Sequence, residues 1–196
     1  MDRGRVTELH YITPLANLAS IRAHGILSHN RAKNVGHESI ADEAVQDRRV
    51  HVKVPGGAML HDYVNLFFDA RNSMMYRRLN KRTSIAVLRV HPAVLDLAGT
   101  VITDGNAASP STTYGPSPSR LAVLDEERVY ALSWDHPDPW IKRERKRQRS
   151  AEVLVPGVVP TNYLLGAYTC SSAVSSKCNK VYPEIEAKVL PHVYFA

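Results

Sequence analysis

Residues 149–160 read RSAEVLVPGVVP. An acid, Glu152, heads a short apolar run, Val153 to Val155, and Pro156-Gly157 closes it. A β-branched run of this length, bounded by turn residues, predicts a buried strand over Ala151–Val155. Working outward, residues 163–170 and 186–195 offer two more strands. Upstream, Ser84 to Val90 (SIAVLRV) alternates as a strand does, and Tyr63 to Phe68 is an apolar, aromatic run of strand length. Residues 7–12 (TELHYI) predict a first strand. Helices are fewer. Thr13 and Pro14 read as an N-cap and a first-turn proline, Leu15, Leu18, Ile21 and Arg22 follow at helical spacing, and Gly25 stands where that helix should stop. Ser39 to Arg49 reads as a second helix with Ile40, Ala44 and Val45 on its buried stripe, and Asn72 to Leu79 as a short helix capped by Asn72. Residues 28–37 and Thr103 to Ser119 are loops by composition. Many short strands, few helices and no regular alternation give a mixed α+β chain.

Length and charge bound the rest. A chain of 196 residues fits one domain, read here as residues 1–196, and can bury a substantial core. Apolar content of 44% and charged content of 22% are ordinary for a globular protein. A net charge of +6 favours polyanion partners without establishing one. No run approaches the roughly 20 apolar residues that span a membrane, and the first residues lack an apolar signal segment. The chain is expected in the cytoplasm, with Cys170 and Cys178 as free thiols.

Several residues suit chemistry, each with a plainer reading beside it. Glu152 at a strand head fits a surface ion pair, or a carboxylate placed to stabilise positive charge. Arg48 and Arg49 close a helix, where cations suit the dipole; arginine also binds phosphate in a forked manner. The segment Lys142 to Arg149 carries six cations and one acid. It is either a solvated loop or a nucleic-acid contact, with Trp134 and Trp140 available to stack on bases. Arg71-Asn72-Ser73-Met74-Met75 is a helix cap followed by core methionines, or a reading segment. The nine histidines show no metal-ligand spacing, HExxH and CxxC patterns do not occur, and no metal is expected. No Walker loop, GxGxxG fingerprint or GxSxG elbow occurs either.

Five segments in order resemble the DarT family, the toxin half of bacterial toxin–antitoxin pairs that ADP-ribosylate DNA. They are LHYITPLANLASIRAHGILS (9–28), HESIADEAVQDRR (37–49), LHDYVNLFFDARNSMMY (60–76), VITDGNAAS (101–109) and RSAEVLVPGVVP (149–160). The resemblance implies an ADP-ribosyltransferase fold: split, twisted antiparallel β-sheets with flanking helices and an NAD⁺ cleft between them.

The resemblance also assigns residues. It places NAD⁺ contacts on Tyr11, Ile12 and Thr13, with Tyr11 standing where histidine is common in the family and His10 one place earlier, on the opposite strand face. Asn17 and Ser28 fall near the adenosine half, and residues 36–54 match a second NAD⁺-contacting element. The catalytic pair falls on Arg49, rather than Arg48, and on Glu152. A DNA-reading segment falls on Arg71, Asn72, Ser73, Met74 and Met75. The basic loop, with Lys142, Arg143, Lys146 and Arg147, would hold the strand. Residues 109–152 resemble the loop that shapes the acceptor site.

The implied reaction breaks the nicotinamide–ribose bond of NAD⁺, with Glu152 stabilising the oxocarbenium ion. Glu152→Ala is expected to abolish transfer while leaving folding near wild type. Arginine is almost always protonated, so an electrostatic role for Arg49 is preferred over proton transfer. The acceptor is a nucleobase in single-stranded DNA, because a stacked base cannot be reached. Family members divide between thymine and guanine, and the departure of DYVNLFFDARNSMMY from the thymine-modifier form tips the reading toward guanine. A macrodomain antitoxin of the DarG kind, which removes the mark, is the implied partner. The rivals are a transferase of the same fold acting on RNA or protein, and a nucleic-acid-binding module without catalysis.

Overall fold

Strands carry the architecture, and the computed structural model describes residues 1–39 and 43–195. The strands are β1 (Leu9–Pro14), β2 (Ile26–Leu27), β3 (Tyr63–Phe67), β4 (Ile85–Val90), β5 (Val101–Thr103), β6 (Tyr114–Pro116), β7 (Glu152–Pro156), β8 (Val158–Val159), β9 (Leu164–Thr169) and β10 (Ala187–Val189). Eight form one sheet in the order β10-β9-β4-β1-β3-β7-β5-β6, and β2 pairs with β8 in a small second sheet.

The large sheet is nearly two sheets. β1 pairs with β4 over six consecutive residue pairs, from Leu9↔Val90 to Pro14↔Ile85. β3 pairs with β7 over five, from Tyr63↔Pro156 to Phe67↔Glu152. Between these halves β1 and β3 share one pair, His10↔Phe67. Beyond that point the neighbouring strands part. The edges so exposed have no ladder partner, and a gap opens along Tyr11 to Thr13 on one side and Tyr63 to Asn65 on the other. This is the split sheet that the sequence led us to expect. The pairs are antiparallel except β9 with β10, which run parallel.

The helices are α1 (Leu18–His24), α2 (His29–Ala32), α3 (Glu43–Arg49), α4 (Ser73–Arg77), α5 (Glu126–Val129), α6 (Pro139–Gln148) and α7 (Ser172–Val181). Gly25 stops α1 as expected, with a left-handed φ of 78°. A Cβ there would lie 2.5 Å from the Val159 carbonyl oxygen, so the residue also lets β8 approach β2. Leu18 and Ile21 are buried on α1, while Arg22 faces out to Glu184. The core is apolar and β-branched: Leu66, Leu88, Val90, Ile102 and Val153 are fully buried in its largest cluster.

Several expectations are corrected. Thr103 to Ser119 is not all loop, since β6 forms there, and the strand expected over residues 186–195 is confined to β10, with a 3-10 turn at Pro191–Tyr194 after it. Thr13 does not cap a helix; it is buried inside β1, and a 3-10 turn at Leu15–Asn17 precedes α1. Residues 28–37 are not all loop, since α2 forms there. The basic segment is not a loop but the greater part of α6, whose N-cap Asp138 accepts hydrogen bonds from Trp140 N and Ile141 N and whose first residue is Pro139. Local capping outweighs the repulsion of its cations, which water screens. Finally, α7 takes a stretch given no element; Ser171 caps it and buries Val174 and Cys178. In the second predicted helix, Ile40 and the Ala44 side chain fall outside the described residues, and Val45 is half-buried. Cys170 and Cys178 are free thiols. Among the described residues, no helix is long and apolar enough to cross a membrane.

Candidate active site

The gap in the sheet becomes a cleft of about 1020 Å³. That is at the large end of the range for ligand pockets. Tyr11, Ile12 and Thr13 line one edge and Tyr63, Val64, Asn65 and Phe67 the other. α2 and α3 contribute His29, Gln46, Arg48 and Arg49. Met74 and Arg77 of α4 and Trp140, Arg143, Lys146 and Arg147 of α6 complete the mouth.

Arg49 and Glu152 meet at the apex. Glu152 pairs across the sheet with Phe67, which is the residue that joins the halves. Arg49 Nη2 donates to Glu152 Oε2 at 2.9 Å and Nη1 to Oε1 at 3.4 Å. Asn65 Nδ2 donates to Oε2 at 2.6 Å and the backbone N–H of Ala107 to Oε1 at 3.0 Å. Thr103 Oγ1 accepts from the Glu152 N–H. Four donors therefore hold the carboxylate in one orientation. Glu152 is fully buried, so it stands behind a wall made by Arg49 and Asn65 rather than in the open cleft. The expectation that Glu152→Ala would spare folding does not survive this geometry. Truncation leaves Arg49 buried beside an empty place, an uncompensated charge that costs about 3–5 kcal/mol.

The loop after β5 supplies Ala107 and is itself fastened. Arg147 donates to Asp104 Oδ1 at 2.8 Å and to Glu144 Oε1 at 2.7 Å. A Cβ at Gly105 would collide with Arg147, so glycine is required where the loop crosses it. Burial pushes the Asp104 carboxyl up, but hydrogen bonds from Arg147 and Thr113 outweigh it and leave its pKa lowered. Tyr114 Oη donates to the Ala107 carbonyl at 2.5 Å.

A pair of imidazoles in contact lines the same cleft: the His29 and His61 ring centroids lie 4.1 Å apart with the planes tilted by 32°. Burial, then His29, Arg49 and Lys33, lower His61 to about 4, so it is neutral at physiological pH. Among the described residues, no group of three or more His, Cys, Asp or Glu is placed to hold a metal ion.

The other expected residues divide. Tyr11, Ile12 and Thr13 lie at the cleft edge, and Asn17 lines it too. The Asn17 amide is committed to Glu38, donating to its carbonyl at 2.8 Å and accepting from its N–H at 2.7 Å, and so tethers the segment before α3 to the end of β1. Ser28 is buried, precedes α2 and is not among the cleft-lining residues, because its N–H is tied to Gly157 O in the small sheet. Of the reading segment, Ser73 and Met74 line the cleft. Asn72 and Met75 are fully buried, the first as the cap of α4 and the second in the core, so neither is available to touch DNA. Arg71 lies outside the cleft, its guanidinium 4.1 Å over the Phe195 ring. Arg143 and Lys146 line the cleft; Lys142 pairs with Asp135 away from it. Arg147 lines it but is held by its two acids. His10, expected on the opposite strand face from Tyr11, is not among the cleft-lining residues and is bound by Glu8 and the Phe68 carbonyl.

Sequence reasoning missed Asn65, Ala107 and His61. Asn65 had a signal: it is the one amide in the apolar run Tyr63–Phe68, and a polar residue inside such a strand needs a partner. The Ala107 contribution is a backbone N–H and carries none.

Against this geometry, the match to known proteins is specific. A family model described as "ssDNA thymidine ADP-ribosyltransferase, DarT" covers residues 10–195. The chain belongs to this family. It is 30% identical over 202 residues to a DNA ADP-ribosyl transferase–DNA ADP-ribosyl glycohydrolase fusion protein of Thermosipho africanus (strain H17ap60334), an alignment that takes in 97% of this chain and 50% of that protein. The chain thus spans about half of the fusion protein. The solved structure of Thermus sp. 2.9 DarT in complex with ADP-ribosylated ssDNA superposes with a TM-score of 0.84 at 26% identity, over 97% of each chain. The same protein in complex with NAD⁺ gives 0.78 at 23% identity, over 96% of this chain and 98% of that one, and repeats the fold.

Proposed function

We propose that residues 1–196 act as one DNA ADP-ribosyltransferase domain, a cytoplasmic toxin that transfers ADP-ribose from NAD⁺ to a base in single-stranded DNA. The observation that carries this reading is the forked Arg49–Glu152 contact at the apex of a dinucleotide-sized cleft, between half-sheets joined at one residue pair. Two residues 103 apart in sequence converge there.

The chemistry follows from the arrangement. The bond from nicotinamide nitrogen to ribose C1 breaks and its electrons leave with nicotinamide. Positive charge develops on the ribose ring. The Glu152 carboxylate, fixed by four donors, supplies the opposing charge from behind Asn65 and Arg49 without reorganising at the moment of reaction. A base nitrogen then bonds to C1, its N–H bond breaks, and the proton passes to solvent water. Arg49 presents a permanent cation to the pyrophosphate or the acceptor base. Thr13 and Tyr11 face the same space from β1. Arg143 and Lys146 at the mouth suit the phosphates of a nucleic-acid strand.

Two acceptor bases are in play. The tilt toward guanine rests on residues 62–76, which depart from the thymine-modifier form. Of the reading residues in that run, Asn72 and Met75 are cap and core. Changes at those two positions alter packing rather than a base pocket, whereas Asn65, Ser73 and Met74 of the same run line the cleft. The family's description names thymidine. We therefore favour thymine, whose one N–H in a nucleotide is at ring position 3. The presence of a glycohydrolase in the same chain as the transferase in the Thermosipho relative supports a separate macrodomain antitoxin as partner.

The test is mass spectrometry of defined oligonucleotides after incubation with NAD⁺, with thymine-only, guanine-only, duplex, RNA and protein arms. ADP-ribose added to the thymine single strand supports the reading. Addition to guanine alone reverses the choice of base. Modification of RNA or protein in place of DNA, or salt-sensitive DNA binding without nicotinamide release, overturns the proposed activity.

A further inference from the structure

Two tryptophans stand near the basic helix, and the structure separates them. Trp134 is half-buried and packed edge-on against Tyr76, at 5.7 Å between ring centroids, and against Phe195, at 5.9 Å. Trp140 is 78% exposed, the most exposed large hydrophobic side chain among the described residues. A bare indole is costly in water, and an exposed aromatic at the lip of a cleft invites a partner with a flat apolar face. The backbone that carries it is held. The Asp138 carboxylate accepts from the Trp140 N–H at 2.7 Å and the Ile141 N–H at 3.3 Å, so the first turn of α6 is clamped. One turn on, Arg143 lines the same cleft, and Lys146 follows on that face. An indole beside a guanidinium on one rigid helical face is the pairing that holds a base by its ring and the adjoining phosphate by its charge.

We propose that Trp140 is a stacking platform for an unpaired nucleobase flanking the acceptor, with Arg143 on the neighbouring phosphate. This inference rests on the single-stranded DNA reading above and adds a base subsite to it. The platform takes a base only where the strand is unstacked, so it contributes to preference for single strands. Every base has a π-face, so it positions the strand without choosing a letter. Trp134, closed in by its neighbours, has no such role.

The experiment measures binding of a fluorescent single-stranded oligonucleotide to wild type, Trp140→Ala and Trp140→Phe. It is repeated with an abasic site placed in turn at each position flanking the acceptor. ADP-ribose binding to each variant reports on the cleft itself. Trp140→Ala is expected to weaken oligonucleotide binding roughly tenfold, in line with loss of one stacked base, with ADP-ribose binding unchanged and Trp140→Phe recovering part of the loss. One abasic position should weaken wild type yet leave Trp140→Ala unaffected. Equal affinities in wild type and Trp140→Ala, or the same abasic profile in both, overturn the inference while leaving the transferase reading intact. Wild type that neither binds nor modifies the oligonucleotide overturns both.

Discussion

Arg49 and Glu152 are each other's principal partners: the guanidinium meets both carboxylate oxygens, at 2.9 and 3.4 Å, and both side chains are buried. Shape and charge can therefore be removed separately. Glu152→Gln keeps an oxygen for Arg49 and loses the negative charge, and should lower transfer by roughly 10²–10³-fold, the scale of one preorganised electrostatic group. Glu152→Ala should do the same to transfer, and both variants should lose stability because each leaves the buried Arg49 guanidinium without its counter-charge, by about 3–5 kcal/mol in the alanine variant. Single-turnover transfer and chemical denaturation distinguish the two; a fully active Glu152→Ala protein removes the residue from the mechanism.

The cations of α6 should behave differently from one another. Arg143 and Lys146 line the cleft, so alanine at either should weaken binding to all oligonucleotides and reduce the slope of log K against log salt by about one. Arg147 is spent on Asp104 and Glu144 and braces the loop that carries Ala107. Arg147→Ala should lower the melting temperature and transfer more than it changes the salt slope. Equal slopes in Lys146→Ala and wild type would place that side chain away from the strand.

Asn72 offers a check on the corrected reading of residues 71–75. Its side chain accepts from Met74 N at 2.9 Å and Met75 N at 3.2 Å. Asn72→Ala should cost about 1 kcal/mol or more through loss of the cap, and Asn72→Asp, which still caps but loses the donation to the Asp69 carbonyl and buries a carboxylate, should also lower stability. Oligonucleotide affinity should be unchanged in Asn72→Asp. A clear loss of affinity there would restore the residue to DNA contact.

Acid stability should depend on Glu8, on the face away from the cleft. Burial raises its carboxyl pKa, but hydrogen bonds with His10, Tyr168 and Arg89 outweigh that and bring it down from 4.5 to about 2. A lowered folded-state value stabilises the protein above the unfolded-state value, and the gain is lost as pH falls from about 4.5 towards 2. Wild type should exceed Glu8→Gln in melting temperature at neutral pH, and the two curves should converge across that window. Parallel curves down to pH 2 would mean that the network contributes nothing specific to the charged form.

Much of this was legible in the sequence where one physical signal dominated. Apolar runs such as Ile85–Val90 and Val153–Val155 gave strands because burial decides them, and Gly25 ended its helix because no other residue suits that φ. The choice of Arg49 and Glu152 came through register with a family, not through spacing; nothing in the residues between them, 103 positions apart, says that they touch. What stayed hidden was tertiary. Asn72 looks the same in a string whether it caps a helix or reads a base. Cationic composition hid α6, because the cap at Asp138 is a local device that charge counting ignores. The Ala107 contribution leaves no trace in any side chain.

The union of the half-sheets at His10 and Phe67 has a mechanical consequence. A panel hung on one pin turns more readily than it bends, and displacement grows with distance from the pin. Thr13 is three residues along β1, about 10 Å out at the usual strand rise. A shift at that junction would be magnified there and least felt at Glu152, which is level with Phe67.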